Sequence, residues 1–94
     1  MNRKEVLDKA AEACLHSRAA QYSPPEDSFL SISKLWNTWY VIRKPGEFNP
    51  VDVAMMLAMV KQARLAHNPT HEDSWVDLAG YAACGAEVAT CGKT

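Results

Sequence analysis

The stretch from Asn68 to Ala89, NPTHEDSWVDLAGYAACGAEVA, constrains the chain most, because it joins a helix start to acidic groups at a fixed helical spacing. Pro69 and Thr70 open the element. Thr70 is placed to cap the free N–H groups of a first turn, and Asp73 three residues on completes a capping-box-like pattern. In that register Asp73 and Asp77 stand at i and i+4 on one side of a helix, and Tyr81 and Cys84 continue the row. Trp75, Leu78, Ala79, Ala82 and Ala86 form a separate apolar stripe. Two carboxylates that close repel each other unless a cation, a proton or a basic neighbour compensates them. The row therefore either lies in water or is used.

The upstream chain supplies three more helical patterns. From Asn2 to Ala20, the residues Val6, Ala10, Ala13 and Ser17 share a narrow face of small side chains, which suits close packing along a neighbour or across a subunit boundary. Pro24 and Pro25 stop that helix, and Ser23 or Asp27 can cap the next. The second helix, Glu26 to Val41, carries Phe29, Ile32, Leu35, Trp36, Trp39 and Tyr40 as a broad apolar stripe, the clearest core signal in the chain. Aromatic stripes at this spacing are core or interface far more often than stacking platforms for bases. A turn at Pro45-Gly46 follows, in which Arg43 and Lys44 are expected to be solvated. Asn49 then caps a third helix with Pro50 at its first position and Asp52 at its third, running to Ala66. Val53, Met56, Leu57 and Val60 form one stripe of it, and Met55, Ala58, Met59 and Ala63 make most of the remainder apolar, as expected of a helix buried on several sides. Asp52 stands half a revolution from Lys61 and is assigned to capping.

These patterns predict an all-α, bundle-like domain of four helices spanning residues 1–94. A chain of 94 residues can bury only a modest share of its surface alone, so an oligomer is expected. A formal charge of −1 gives no electrostatic footprint for duplex nucleic acid. Cys14, Cys84 and Cys91 have neither the CxxC spacing nor the histidine pair of a structural zinc site and read as reduced thiols, Cys84 as a small buried one. The charged N-terminus excludes a signal peptide, and no apolar run approaches the length of a membrane span, so a cytoplasmic location is expected.

The short link His67-Asn68-Pro69 returns the fourth helix beside the third and brings Lys61 and Arg64 near Asp73 and Asp77. The plainer account of that turn is a salt-bridge cluster that ties two helices and binds nothing. The sharper account has Asp73, Asp77 and Glu72 hold magnesium while Lys61 and Arg64 contact phosphates, a set adequate for a nucleotide and poor as a free-standing metal cage. Glu26 is a further acidic candidate if the second helix starts close by. His71 reads as a solvated first-turn residue, His16 and His67 carry less, and no nucleophile–base pair is visible.

The order Tyr22-x-x-Pro25-x-Asp27-x-Phe29, Leu35-Trp36, Asp52-Val53-Ala54-x-Met56, Lys61-x-x-Arg64 and Asp73-Ser74-Trp75-x-Asp77-x-x-Gly80-Tyr81-Ala82 resembles a family of small uncharacterised proteins of bacteriophages and prophages. The resemblance covers nearly the whole chain. Members usually have Tyr-Gly where this chain has Tyr22-Ser23. More distantly, the Lys-x-x-Arg helix followed by an Asp-x-x-Gly-Tyr helix is similar to the all-α, MazG-like nucleotide pyrophosphohydrolases. That resemblance implies magnesium held by Asp73 or Glu72 and by Asp77, phosphate contact by Lys61 and Arg64, and cleavage of a nucleoside triphosphate to monophosphate and pyrophosphate. Asp77 and Asp73 would be the catalytic carboxylates. The superfamily's Glu-Glu-x-x-Glu helix has no counterpart here, which opens a rival: a phage sponge that holds a nucleotide signal of host immunity, a cyclic oligonucleotide or an ADP-ribose derivative, without reaction or metal. Lys61 and Arg64 would then meet phosphate, and Tyr22, Trp36, Trp75 and Tyr81 would stack on bases. A third expectation is a protein-binding phage factor whose contact surface is the aromatic stripe of the second helix.

Overall fold

A computed structural model describes residues 1–17 and 25–91. Within them the chain forms four α-helices and no strand: α1 Arg3–Glu12, α2 Pro25–Arg43, α3 Pro50–His67 and α4 Glu72–Thr90. Tyr22 and Ser23 lie outside the described residues, as do the side chains of Glu26 and Asp27.

α1 starts where Asn2 Oδ1 accepts a hydrogen bond from Glu5 N at 2.9 Å. The first helix was expected to run to Ala20 in one register, but the α-helical part ends at Glu12 and a π-helical turn follows at Ala13–Ser17. The wider turn shifts the register beyond Ala13, and the Ser17 side chain, expected on the Val6–Ala10–Ala13 face, lies outside the described residues. No residue of α1 is buried.

α3 is the centre of the fold. Its start follows the expected pattern in full: Asn49 Oδ1 accepts from Asp52 N at 2.9 Å, Asp52 Oδ2 accepts from Asn49 N at 3.0 Å, and Pro50 occupies the first turn. The buried apolar residues Ala58, Met59, Ala63 and Leu65 all belong to α3. α2 packs antiparallel on one flank, where Trp36 Nε1 donates to Met56 O at 2.9 Å. α4 packs antiparallel on the other, and the two come close because Gly85 has no side chain: a Cβ there would lie 3.1 Å from the Ala54 Cβ. Among the described residues the backbones of α2 and α4 do not approach each other closely, and that of α1 approaches none of α2, α3 and α4. The three long helices thus form a single layer.

That layer explains two departures from the expected core. Phe29 and Tyr40, at the ends of the α2 stripe, are 68% and 53% exposed, because α2 meets α3 along only one narrow line. Val53 and Leu57 of α3 are exposed as well, on a face that neither neighbouring helix covers. The start of α4 also moves. The N-cap is His71, without a side-chain cap, because the chain first makes a turn in which His71 N donates to Asn68 O at 3.1 Å. Thr70, expected as the cap, donates through Oγ1 to Asn68 Oδ1 at 3.3 Å instead.

Candidate functional site

The α3–α4 hairpin brings together the charges that the spacing pointed to. Lys61 Nζ lies 3.0 Å from Asp77 Oδ2 across the two helices. The lysine side chain is 16% exposed and the aspartate 47%, so the lysine stem is largely covered along the helices and the carboxylate opens to solvent. The antiparallel pairing places Arg64 and Asp73 one turn further toward the hairpin, on α3 and α4 respectively, and Tyr81 one turn the other way along the Asp77 row. Arg64 and Tyr81 are half-buried, and Glu72 and Asp73 are exposed. Neither Glu72 nor Asp73 joins an ion pair among the described residues. Nor is there, among those residues, a group of three or more His, Cys, Asp and Glu side chains arranged to hold a metal ion.

The aromatic candidates divide. Tyr81 shares the charged row. Trp75, two residues before Asp77, is turned about 200° away round α4. Its indole is 55% exposed, with Nε1 donating to Pro69 O at 2.9 Å. It lines a groove of about 630 Å³ over α3, walled by Leu35 of α2 and Leu78 of α4 and floored by Ala63 and Ala66. Trp36 is engaged in the α2–α3 contact. Neither Lys61 nor Arg64 lines that groove.

Two polar clusters escaped the sequence reading. Asp52 is wholly buried, and beyond capping it organises the α2–α3 end: Oδ1 accepts from Trp39 Nε1 at 2.9 Å and Arg43 Nε at 2.8 Å, and Oδ2 from Arg43 Nη2 and Asn49 N at 3.0 Å each. The Arg43 guanidinium, followed by the Asn49 N–H, holds its carboxyl below the usual carboxylate range against the opposing effect of burial. Arg43, expected to be solvated, is thus half of an ion pair that closes the Pro45-Gly46 turn. With four donors on two oxygens the carboxylate is saturated, and the cluster is a tie between helices, not a reaction centre. Its sequence signal was an arginine at one helix end and a capping aspartate at the next, across a Pro-Gly turn. In the second cluster His71 Nδ1 stands 2.7 Å from the Oγ of Ser74, which is wholly buried. His71 is therefore fastened to α4 and not merely solvated. Cys84, read as a buried thiol, is exposed.

The family described as a domain of unknown function, DUF6378, matches residues 5–89. The chain belongs to the DUF6378 family. It is 36% identical over 77 residues to the Gene 55 protein of Mycobacterium phage L5, covering 82% of this chain and 47% of the relative. To the Gene 55 protein of Mycobacterium phage D29 it is 31% identical over 81 residues, covering 86% of this chain and 51% of the relative. This DUF6378 chain thus spans about half the length of the curated relatives it matches, and its family is one of small phage proteins. No solved structure matches it. No helix among the described residues is long and apolar enough to cross a membrane.

Proposed function

We propose that this DUF6378 chain is a phage-type nucleotide-binding protein that engages phosphate at the α3–α4 flank and works as a homo-oligomer. The observation that carries the reading is the Lys61–Asp77 pair: a lysine whose side chain is largely covered, held 3.0 Å from a half-open carboxylate. A cation already fixed by packing loses little side-chain freedom when a phosphate arrives. Arg64 is the second cation, suited to bidentate contact with phosphate oxygens, and Tyr81 is the aromatic nearest in register for a base.

The enzymatic form of the proposal is MazG-like, magnesium-dependent pyrophosphohydrolysis. A polyphosphate beside Asp73, Asp77 and Glu72 is repelled unless a divalent cation enters with it. Asp73, Asp77 and Glu72 would hold the magnesium, which would supply a polarised water for hydrolysis. Lys61 and Arg64 would stabilise the negative charge that develops on the phosphoryl group. The second form is sequestration of a nucleotide immune signal, a cyclic oligonucleotide or an ADP-ribose derivative, without reaction. One observation favours it: the acidic residues of this flank all come from α4, because Asp52 of α3 is consumed by Arg43, Trp39 and Asn49.

Incubation with a panel of nucleoside triphosphates and magnesium tests the enzyme through release of pyrophosphate. Asp77→Asn abolishes that release on the enzymatic account and leaves binding largely intact on the other. Recovery of an intact nucleotide from heat-denatured protein, identified by mass spectrometry, supports sequestration.

A further inference from the structure

The Lys61–Asp77 contact joins two side chains of unequal freedom. Lys61 is 16% exposed, so packing of its stem along the helices limits where the ammonium can go. Asp77 is 47% exposed and shares one row of α4 with Asp73, a turn before it. Nζ lies 3.0 Å from Oδ2, and among the described residues Lys61 pairs with no other carboxylate. The cation thus already faces an anion that the chain carries itself. A phosphate oxygen and a carboxylate oxygen compete for the same partner, because a lysine binds either one as a point charge.

We infer that Asp77 is a built-in competitor at the Lys61 position: its carboxylate holds the ammonium, and a phosphate binds there only by displacing it. This competition rests on the phosphate-binding reading of the flank and adds how that binding is held in check. The covered stem keeps Lys61 from turning to a ligand elsewhere, so the half-exposed carboxylate is the partner that gives way. An ion pair of this exposure shifts an equilibrium by up to about fivefold, enough to lower affinity without closing the site. Asp73 supplies the comparison. It is exposed, carries the same charge in the same row and joins no ion pair among the described residues, so it repels an anion through solvent without occupying Lys61.

Isothermal titration calorimetry of the full chain with the four ribonucleoside monophosphates, in chelator so that neither metal nor turnover intervenes, tests the competition. Asp77→Asn is expected to tighten binding about three- to fivefold, and Asp77→Ala to do the same without an amide that could still meet Lys61. Asp73→Asn, which removes an equal charge, is expected to change affinity less than about twofold. In a Lys61→Ala background the gain from Asp77→Asn is expected to vanish, since no ammonium is left to compete for. Binding seen only in the Asp77 variants supports the same competition. Equal gains in Asp73→Asn and Asp77→Asn, or a gain that survives Lys61→Ala, would make Asp77 a source of general repulsion and overturn it. Wild-type binding that both Asp77 variants leave unchanged or weaken overturns it too, and leaves the functional reading standing. Absence of binding by wild type and by both Asp77 variants removes the functional reading, and the competition with it.

Discussion

Arg43 grips Asp52 with two nitrogens, Nε at 2.8 Å and Nη2 at 3.0 Å, and so joins the last turn of α2 to the first turn of α3. The same carboxylate accepts from the N-cap Asn49 N–H at the start of α3 and from Trp39, which makes it the point where helix start, turn and helix packing are settled together. Its pKa is depressed in the folded state, first by the Arg43 hydrogen bonds. A depressed carboxyl binds its proton less readily when folded, so its stabilisation is present above the unfolded value of about 3.9 and is lost as pH falls through the lower folded value. Denaturant unfolding measured from pH 7 down to pH 2 is expected to show stability falling below about pH 4. Asp52→Asn is expected to start from lower stability and to lose part of that acid slope. An unchanged slope in Asp52→Asn would assign the acid sensitivity to other carboxylates.

Trp39→Phe removes one donor to a charged acceptor and keeps a large aromatic ring. The expected cost is about 1–3 kcal/mol, read from the denaturation midpoint at constant m-value. Trp36→Phe, whose indole donates to the neutral Met56 carbonyl, is expected to cost less, about 0.5–1.5 kcal/mol.

Gly85→Val places a branched side chain where even a Cβ comes within 3.1 Å of Ala54. The two helices must separate to admit it, and overpacking of this kind costs about 1–3 kcal/mol. Gly80→Ala meets open space on α4 and is expected to stabilise by a few tenths to about 1 kcal/mol through helix propensity. Thermal unfolding of the pair distinguishes a glycine kept for close approach from one that is not.

Lys61→Ala breaks an ion pair whose aspartate is half in solvent, and screening holds the stability loss below about 1 kcal/mol. Nucleotide affinity is expected to fall at least about tenfold in the same variant, since a charge-assisted contact to phosphate is lost. Comparable small losses in both quantities would mark the pair as a surface tie alone.

Much of this architecture could be read from local signals. Asn49-Pro50-x-Asp52 gave the start of α3 because a capping box and a proline at the first position act within one turn. The shortness of the His67–Pro69 link put Lys61 beside Asp77 because few residues can separate antiparallel helices. What escaped depended on partners distant in sequence or on competing local bonds. Thr70 was a reasonable cap until Asn68 took its hydroxyl. Arg43 read as solvated because its partner lies across a turn. The exposure of Phe29, Tyr40 and Val53 follows from a one-layer arrangement that periodicity cannot express, since an apolar stripe looks the same against a neighbouring helix or a second chain. Within the candidate site, the Lys61–Asp77 contact was visible in advance. The separation of Trp75 from the Asp77 row was legible too, since a two-residue offset carries it to the Leu78 stripe on another side of α4; that this stripe borders a groove over α3 depends on where α2 packs and was not.

On the proposed function, the α3–α4 flank binds the phosphates of a nucleotide. Isothermal titration calorimetry of the full chain with nucleoside triphosphates, with magnesium and again with chelator, measures it directly. Wild type is expected to bind one nucleotide per chain saturably, and Arg64→Ala to weaken that binding at least about tenfold. Absence of heat with every nucleotide under both conditions, or an affinity unchanged in Lys61→Ala and Arg64→Ala together, would contradict it.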